Sequence, residues 1–252
     1  MSRENTPPAE RVAAGRTIAI GDIHGCAHAL DAVLAAIGPR PEDQIICLGD
    51  VIDNGRDTAL VLERLLQLRR ECRLVCILGN HEEMLLGALQ NERIKDSWQM
   101  CGGVYTLNSY RFGGDLDVIP AAHLEFIRTF RDYYETEQHL FTHANYDQQL
   151  AMEDQLPHTR RWSLLEDMAP QPHCSGKTVI VGHTEQKSGE VLDLRCVKCI
   201  DTYCWGYRWL TALEVETGHV WQASRWGVLR DADESLEGLQ KAKQILAQPL
   251  AQ

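Results

Sequence analysis

At 252 residues, with 44% hydrophobic and 24% charged residues, the chain has a globular composition and the length for one α/β domain with a sizeable core. Its formal net charge of -11 argues against a nonspecific polyanion-binding surface, so no nucleic acid is expected as a partner. No stretch approaches the roughly 18 apolar residues of a membrane helix and the N-terminus has no apolar signal core, so no membrane partner is expected and the sequence reads as cytoplasmic.

Residues 1–15, with two prolines among small and charged side chains, read as a flexible leader. Three short apolar runs follow, Arg16–Ile20, Gln44–Leu48 and Leu74–Leu78, each ending in glycine and a polar residue, and they predict buried strands. Between them, His28–Ile37 and Thr58–Leu68 carry apolar residues at helical spacing, which makes a β-α-β-α-β unit with parallel strands. The middle, 82–136, is helical in texture, with Glu82–Leu89 opening it and Ala121–Tyr134 closing it, and is placed to cap a site. Strands return at His139–His143, Lys177–His183, Arg195–Asp201, Arg208–Val215 and His219–Ala223, so the second half is β-rich. An amphipathic stretch with Leu236, Leu239, Ile245 and Leu246 predicts a C-terminal helix within 231–252, packed on a domain that runs from 16 to 230. The nine cysteines are odd in number and scattered through strands and loops, which fits reduced thiols. A zinc role for Cys196 and Cys199 is disfavoured because two thiols are too few for a closed structural site.

The strand ends carry the chemistry. Gly21-Asp22-Ile23-His24-Gly25, Gly49-Asp50-Val51-Ile52-Asp53-Asn54-Gly55 and Gly79-Asn80-His81-Glu82 each follow a predicted parallel strand, and the carboxyl ends of such strands share one edge. Two later strands end in His143 and His183. Five segments thus bring Asp, Asn and His together. Carboxylates and imidazoles in one set suit Mn, Fe or Zn better than Ca or Mg, and a carboxylate can bridge two ions.

In order and spacing these motifs, with Gly182-His183-Thr184, resemble the phosphoprotein phosphatase branch of the calcineurin-like metallophosphoesterases, from about Ile18 to Gln222; Gly102–Tyr110 and the segment 200–218 look like its bacterial members. The resemblance implies an α/β (α+β) β-sandwich of two mixed sheets flanked by helices. It implies two divalent metal ions, manganese first, with iron or zinc as alternatives. Asp22 and His24 would hold the first, Asp50 would bridge, and Asn80, His143 and His183 would hold the second. His81 would be the general acid, oriented by Asp53. Family members commonly have arginines where this chain has Asn54 and Leu78; Arg56 and Arg161 are the candidates to bind phosphate instead. Tyr203, Cys204, Trp205 and Tyr207 fill a stretch that is usually small and glycine-rich in relatives, and could narrow the pocket or stack on an aromatic substrate.

The expected activity is hydrolysis of phosphomonoesters by attack of metal-bound hydroxide, on phosphoserine, phosphothreonine or phosphotyrosine in proteins or on a small phosphoester. A symmetrical dinucleoside polyphosphate (diadenosine tetraphosphate) hydrolase is the alternative. A metal-binding interaction module that has lost catalysis is the third, and the retention of His81 and Asp53 argues against it.

Overall fold

The computed structural model describes residues 15–111 and 115–230, so the predicted C-terminal helix, and all of the predicted leader except Gly15, lie outside the described residues. The first half runs β1 (Thr17–Ile20), α1 (Ala27–Ile37), β2 (Gln44–Cys47), α2 (Thr58–Glu71), β3 (Arg73–Cys76) and α3 (Asn80–Ala88). Three more short helices follow: α4 (Glu92–Trp98), α5 (Val104–Ser109) and α6 (Ala121–Ile127). The second half holds β4 (Tyr133–Glu135), β5 (His139–Thr142), α7 (Pro157–Trp162), β6 (Thr178–Val181), β7 (Leu192–Asp193), β8 (Val197–Cys199), β9 (Trp209–Glu214) and β10 (Val220–Ser224).

These strands make two five-stranded mixed sheets, ordered β10-β9-β1-β2-β3 and β4-β5-β6-β8-β7. Alternation along the strands explains how they stack. Ala19, Ile46 and Leu48 on one sheet meet Phe141 and Ile180 on the other. Their neighbours Ile18, Ile20, Ile45 and Cys47 point to the opposite face and pack under α1 and α2 through Leu30, Val33, Val61 and Leu65. On the far side of the second sheet, Leu140, Val179 and Val181 pack with Tyr146, Met152 and Leu165. Both faces of each central strand are therefore buried, which is why the runs read as continuously apolar.

Register sets up the site. Ile20 is level with Cys47, and Cys47 with Cys76, across three parallel strands, so the loops after β1, β2 and β3 leave from one edge. Phe141 is level with Ile180 in the parallel pair of the second sheet, which brings the ends of β5 and β6 to one edge likewise.

The helix predicted over Ala121–Tyr134 stops at Ile127. Tyr133–Glu135 instead pairs antiparallel with Leu140–Thr142 as an edge strand, because two tyrosines beside an open sheet edge satisfy their backbone there. α7 and the two-residue β7 were not foreseen; both are shorter than any periodicity can signal. All nine cysteines are free thiols, and Cys199 donates to the carbonyls of Gly182 and Thr184. Among the described residues no helix is long and apolar enough to cross a membrane.

One buried ion pair fixes the entry to β1. Fully buried Asp43 accepts from the Arg16 amide at 3.0 Å, the Arg16 guanidinium at 2.6 Å and the Arg40 amide at 2.9 Å. Burial alone would raise its pKa, but the bonds from Arg16 and Arg40 outweigh that and hold the carboxyl well below its usual range. A depressed folded-state pKa stabilises the fold above the unfolded value and loses that contribution as pH falls. Asp43→Asn is therefore expected to cost roughly 3 kcal/mol at pH 7, shrinking below about pH 4, as read from urea melts at the two pH values.

Candidate metal centre

Backbone geometry at the strand ends is unusual. His24, Asp50, Asp53, Asn54 and His183 all have φ between 44° and 68°, the left-handed region that side chains disfavour. Strain of this kind persists only where surroundings over-determine it, and it clusters at functional sites. The determinants are visible. The amides of Ile23 and His24 both donate to the Asp50 carbonyl, at 3.1 and 2.8 Å, stitching the first loop to the second. Fully buried Glu82, in the first turn of α3, reaches back to the second loop: Oε2 accepts from the Asp50 amide at 2.9 Å, and Oε1 from the Val51 amide at 2.8 Å. Glu82 thus does more than open α3: it holds the loop that carries Asp50.

Asp50 Oδ2 is the convergence point. The Nε2 atoms of His143, His24 and His81 lie 3.5, 3.6 and 3.9 Å from it. Two overlapping sets of candidate donors result, His24-Asp50-His81 and Asp50-His143-His183, each with ligand atoms within 4.8 Å of one another and with Asp50 common to both. The imidazoles are oriented from behind. His24 Nδ1 meets the Ile52 carbonyl at 2.9 Å and His143 Nδ1 the Leu48 carbonyl at 2.8 Å, which turns each Nε2 lone pair toward Asp50. His183 is the reverse: its Nε2 meets the Trp162 carbonyl at 3.0 Å, leaving Nδ1 for the centre. Asn80 Oδ1 lies 3.0 Å from His143 Nε2. Asp22 belongs to neither three-residue set; it lines the same cavity, and its carboxylate accepts from the His183 amide at 3.1 Å.

Electrostatics and space both fit divalent cations. Burial, then neighbouring histidine charge, lowers the pKa of His24 and of His183 to about 4, so both stay neutral with a lone pair to give. Burial and repulsion from Asp201 and Asp50 push Asp22 well above the carboxylate range, and Asp201 rises to about 7. Buried carboxylates with raised pKa values call for positive charge, yet among the described residues no lysine or arginine lines the cavity. Two glycines make room. A Cβ on Gly79 would lie 2.1 Å from Asp50 Oδ1, and one on Gly182 2.0 Å from Asp22 Oδ1.

His81 stands apart in its partners. Its Nδ1 meets Asp53 Oδ2 at 2.7 Å, and burial, which lowers its pKa, is outweighed by Asp50 and Asp53, which lift it to about 9. Asp53 is fully buried and is itself held by the Trp98 indole N–H at 2.8 Å and the Thr106 hydroxyl at 2.6 Å. Trp98 and Thr106 sit on the helical cap, so that segment reaches the site as expected. Neither was singled out from sequence, because nothing local marks a tryptophan that points its N–H at a distant aspartate. Trp98→Phe keeps the ring and removes the donor, and roughly a tenfold fall in kcat is expected in a steady-state assay on the folded variant.

The cavity measures about 450 Å³. Besides Asp22, Asp50, Glu185 and Asp201, its lining includes Met84, Met100, Tyr105, Trp162 and Trp205. Neither candidate arginine lines it. Arg56 opens onto a separate cavity, and Arg161 is held by Glu83 at 2.6 Å and by Asp132. Glu83 also accepts from the Trp162 indole at 2.6 Å, so Arg161 fixes α7 and, through it, the carbonyl that orients His183. Of the two arginines expected to bind substrate, Arg161 thus holds α7 through Glu83 and Asp132, and Arg56 lines the separate cavity.

Comparisons with known proteins agree with this geometry. Among curated relatives, a symmetrical bis(5'-nucleosyl)-tetraphosphatase of Pseudomonas putida (strain GB-1) is 37% identical over 83 residues, 32% of this chain and 28% of the relative. A second, from Acidovorax sp. (strain JS42), is 41% identical over 75 residues, 29% of this chain and 26% of the relative. The chain matches under a third of the length of these relatives. Among solved structures, a candidate diadenosine tetraphosphatase superposes with a TM-score of 0.63 at 19% identity, covering 84% of this chain and 94% of that one. A cold-active protein-tyrosine phosphatase from Shewanella gives 0.61 at 16% identity, over 86% and 80%. At such identities the likeness concerns the fold. The model of the calcineurin-like phosphoesterase family matches residues 15–206, which include Asp22, Asp50, His81, His143 and His183, and the chain belongs to that family of phosphoester hydrolases.

Proposed function

We propose that the chain hydrolyses dinucleoside polyphosphates, diadenosine tetraphosphate in the first instance, at a centre of two divalent cations held by Asp22, His24, Asp50, Asn80, His143 and His183. The observation that carries this is the composition of the cavity. Among the described residues it offers no guanidinium or ammonium to a phosphate, yet it is lined by Tyr105, Trp162 and Trp205, on which a base can lie. Phosphate recognition then falls to the cations and the rest to stacking, which suits a substrate with aromatic ends. The names of the curated relatives support the same substrate class. A phosphorylated protein side chain, the other expectation, would use the same centre and leave most of the aromatic wall idle.

The cations, when bound, supply an activated water and neutralise phosphoryl charge. The chain supplies the rest. His81 delivers the proton from Nε2 to the leaving oxygen, and Asp53, accepting from Nδ1, holds the ring in the tautomer and angle for it. Trp162 and Trp205 flank the substrate and exclude water from one side.

The test is a metal-supplemented panel of diadenosine tetraphosphate, a phosphopeptide set and p-nitrophenyl phosphate at matched concentration. Two ADP per dinucleotide, with phosphopeptides left intact, is the expected result. Phosphopeptide cleavage with no ADP release would replace this reading with a protein phosphatase.

A further inference from the structure

Beside the metal centre lies a second cavity of about 380 Å³, lined by His28, Arg56, Tyr207, Arg225 and Trp226 among others. Three chain segments serve both cavities. His24, Asn54 and Trp205 face the centre, while Gly25, Arg56 and Tyr207, one or two residues on, face the neighbour. The partition is therefore these three segments themselves.

The two cavities differ in their charged side chains. Among the described residues the first is lined by four carboxylates and three histidines with no lysine or arginine, whereas the second holds two arginines against one acid, Asp57. The second is also aromatic. The Tyr207 and Trp226 rings lie 5.8 Å apart at 42°, and each is about half exposed, at 50% and 47%. The Arg225 guanidinium sits 4.7 Å over the Tyr207 ring, with Nη1 donating to the Trp205 carbonyl at 2.9 Å, so its position is fixed before any ligand arrives. Tyr207 holds this place at φ 71°, a left-handed conformation unfavourable for a bulky side chain. Arginine beside exposed stacking surface is the arrangement that takes a phosphate and a base together.

We infer that the second cavity binds the non-reacting nucleoside end of the substrate, its base against Tyr207 and Trp226 and its phosphate on Arg56 and Arg225, an inference that rests on the nucleotide reading of the metal centre. It returns Arg56 to phosphate binding, at the outer phosphates rather than at the scissile one.

The experiment is equilibrium dialysis of ADP against the full chain in excess chelator, where the first cavity has no cations to hold a phosphate and the variants report the second. Wild type is expected to bind ADP, with affinity falling about tenfold or more in Trp226→Ala and in Arg56→Glu. Pyrophosphate is expected to compete at least about tenfold more weakly than ADP, since it lacks the base. No ADP binding by wild type, equal binding by the variants, or equal competition by pyrophosphate would each overturn the inference. In the loaded enzyme, the ratio of kcat/KM on diadenosine tetraphosphate to that on p-nitrophenyl phosphate is expected to fall in the same variants. The two readings fail separately. ADP held in this cavity by a protein that does not cleave the dinucleotide removes the proposed activity alone. Cleavage of the dinucleotide with an unchanged ratio in the variants removes this inference alone.

Discussion

Asp50→Asn is expected to lower kcat/KM by about 10³-fold or more and to leave the chain short of bound metal. Asp50 Oδ2 is the one atom that faces three imidazoles, and Asp50 is the one residue shared by both donor sets. The amide keeps the shape and an oxygen for the His81 amide, which now donates to Asp50 Oδ1 at 3.1 Å, so the loop should stay in place. What goes is the negative charge that would help to hold both cations. Removing it forfeits several kcal/mol of transition-state stabilisation, which is where the thousandfold comes from. Metal content by mass spectrometry, measured beside kcat/KM, separates a lost ion from a lost fold. Full activity in this variant would mean that the centre is built elsewhere.

His81→Ala is expected to cost 10²–10⁴-fold in kcat, the usual contribution of a positioned general acid. The loss should depend on the leaving group. A phosphate ester of a poor leaving alcohol needs the proton and should sit at the upper end of that range, while p-nitrophenyl phosphate, whose leaving group departs as the anion, should sit at the lower end. Metal content should barely change if His81 is an acid. His81 Nε2 lies within reach of the His24-Asp50 set, however, so a ligand role is the rival account, and loss of one ion in the variant would establish it. The Asp53 carboxylate, 2.7 Å from Nδ1, favours the acid.

Much of this centre was legible in the sequence because it is written in local signals. A strand that ends in glycine and aspartate announces itself by its apolar run, and parallel strands in level register carry their ends to one edge whatever the rest of the chain does. Asp22, His24, Asp50, Asn80, His81, His143 and His183 were therefore readable as a group. The supporting contacts were not. Glu82 reaches residues 50 and 51, Trp98 reaches Asp53 over 45 positions, and Arg161 reaches Glu83 over 78. No short-range pattern encodes a hydrogen bond of that span, so neither the Trp98 contact nor the two carboxylates that hold Arg161 are visible in the sequence. Arg56 lines the neighbouring cavity rather than the one around Asp50, a placement that no local pattern announces. The same blindness to tertiary pairing extended the last cap helix through Tyr133 and Tyr134, whose partners lie across the β4–β5 hairpin.

The account's central claim is a pair of cations around Asp50 that hydrolyse phosphoesters, and the most direct measurement is turnover during a metal titration. Chelator-stripped protein would be titrated with manganese while diadenosine tetraphosphate or p-nitrophenyl phosphate hydrolysis is followed. Activity that is absent without metal and saturates at two ions per chain is the predicted result. Turnover that persists in chelator, or that saturates at one ion, would contradict it.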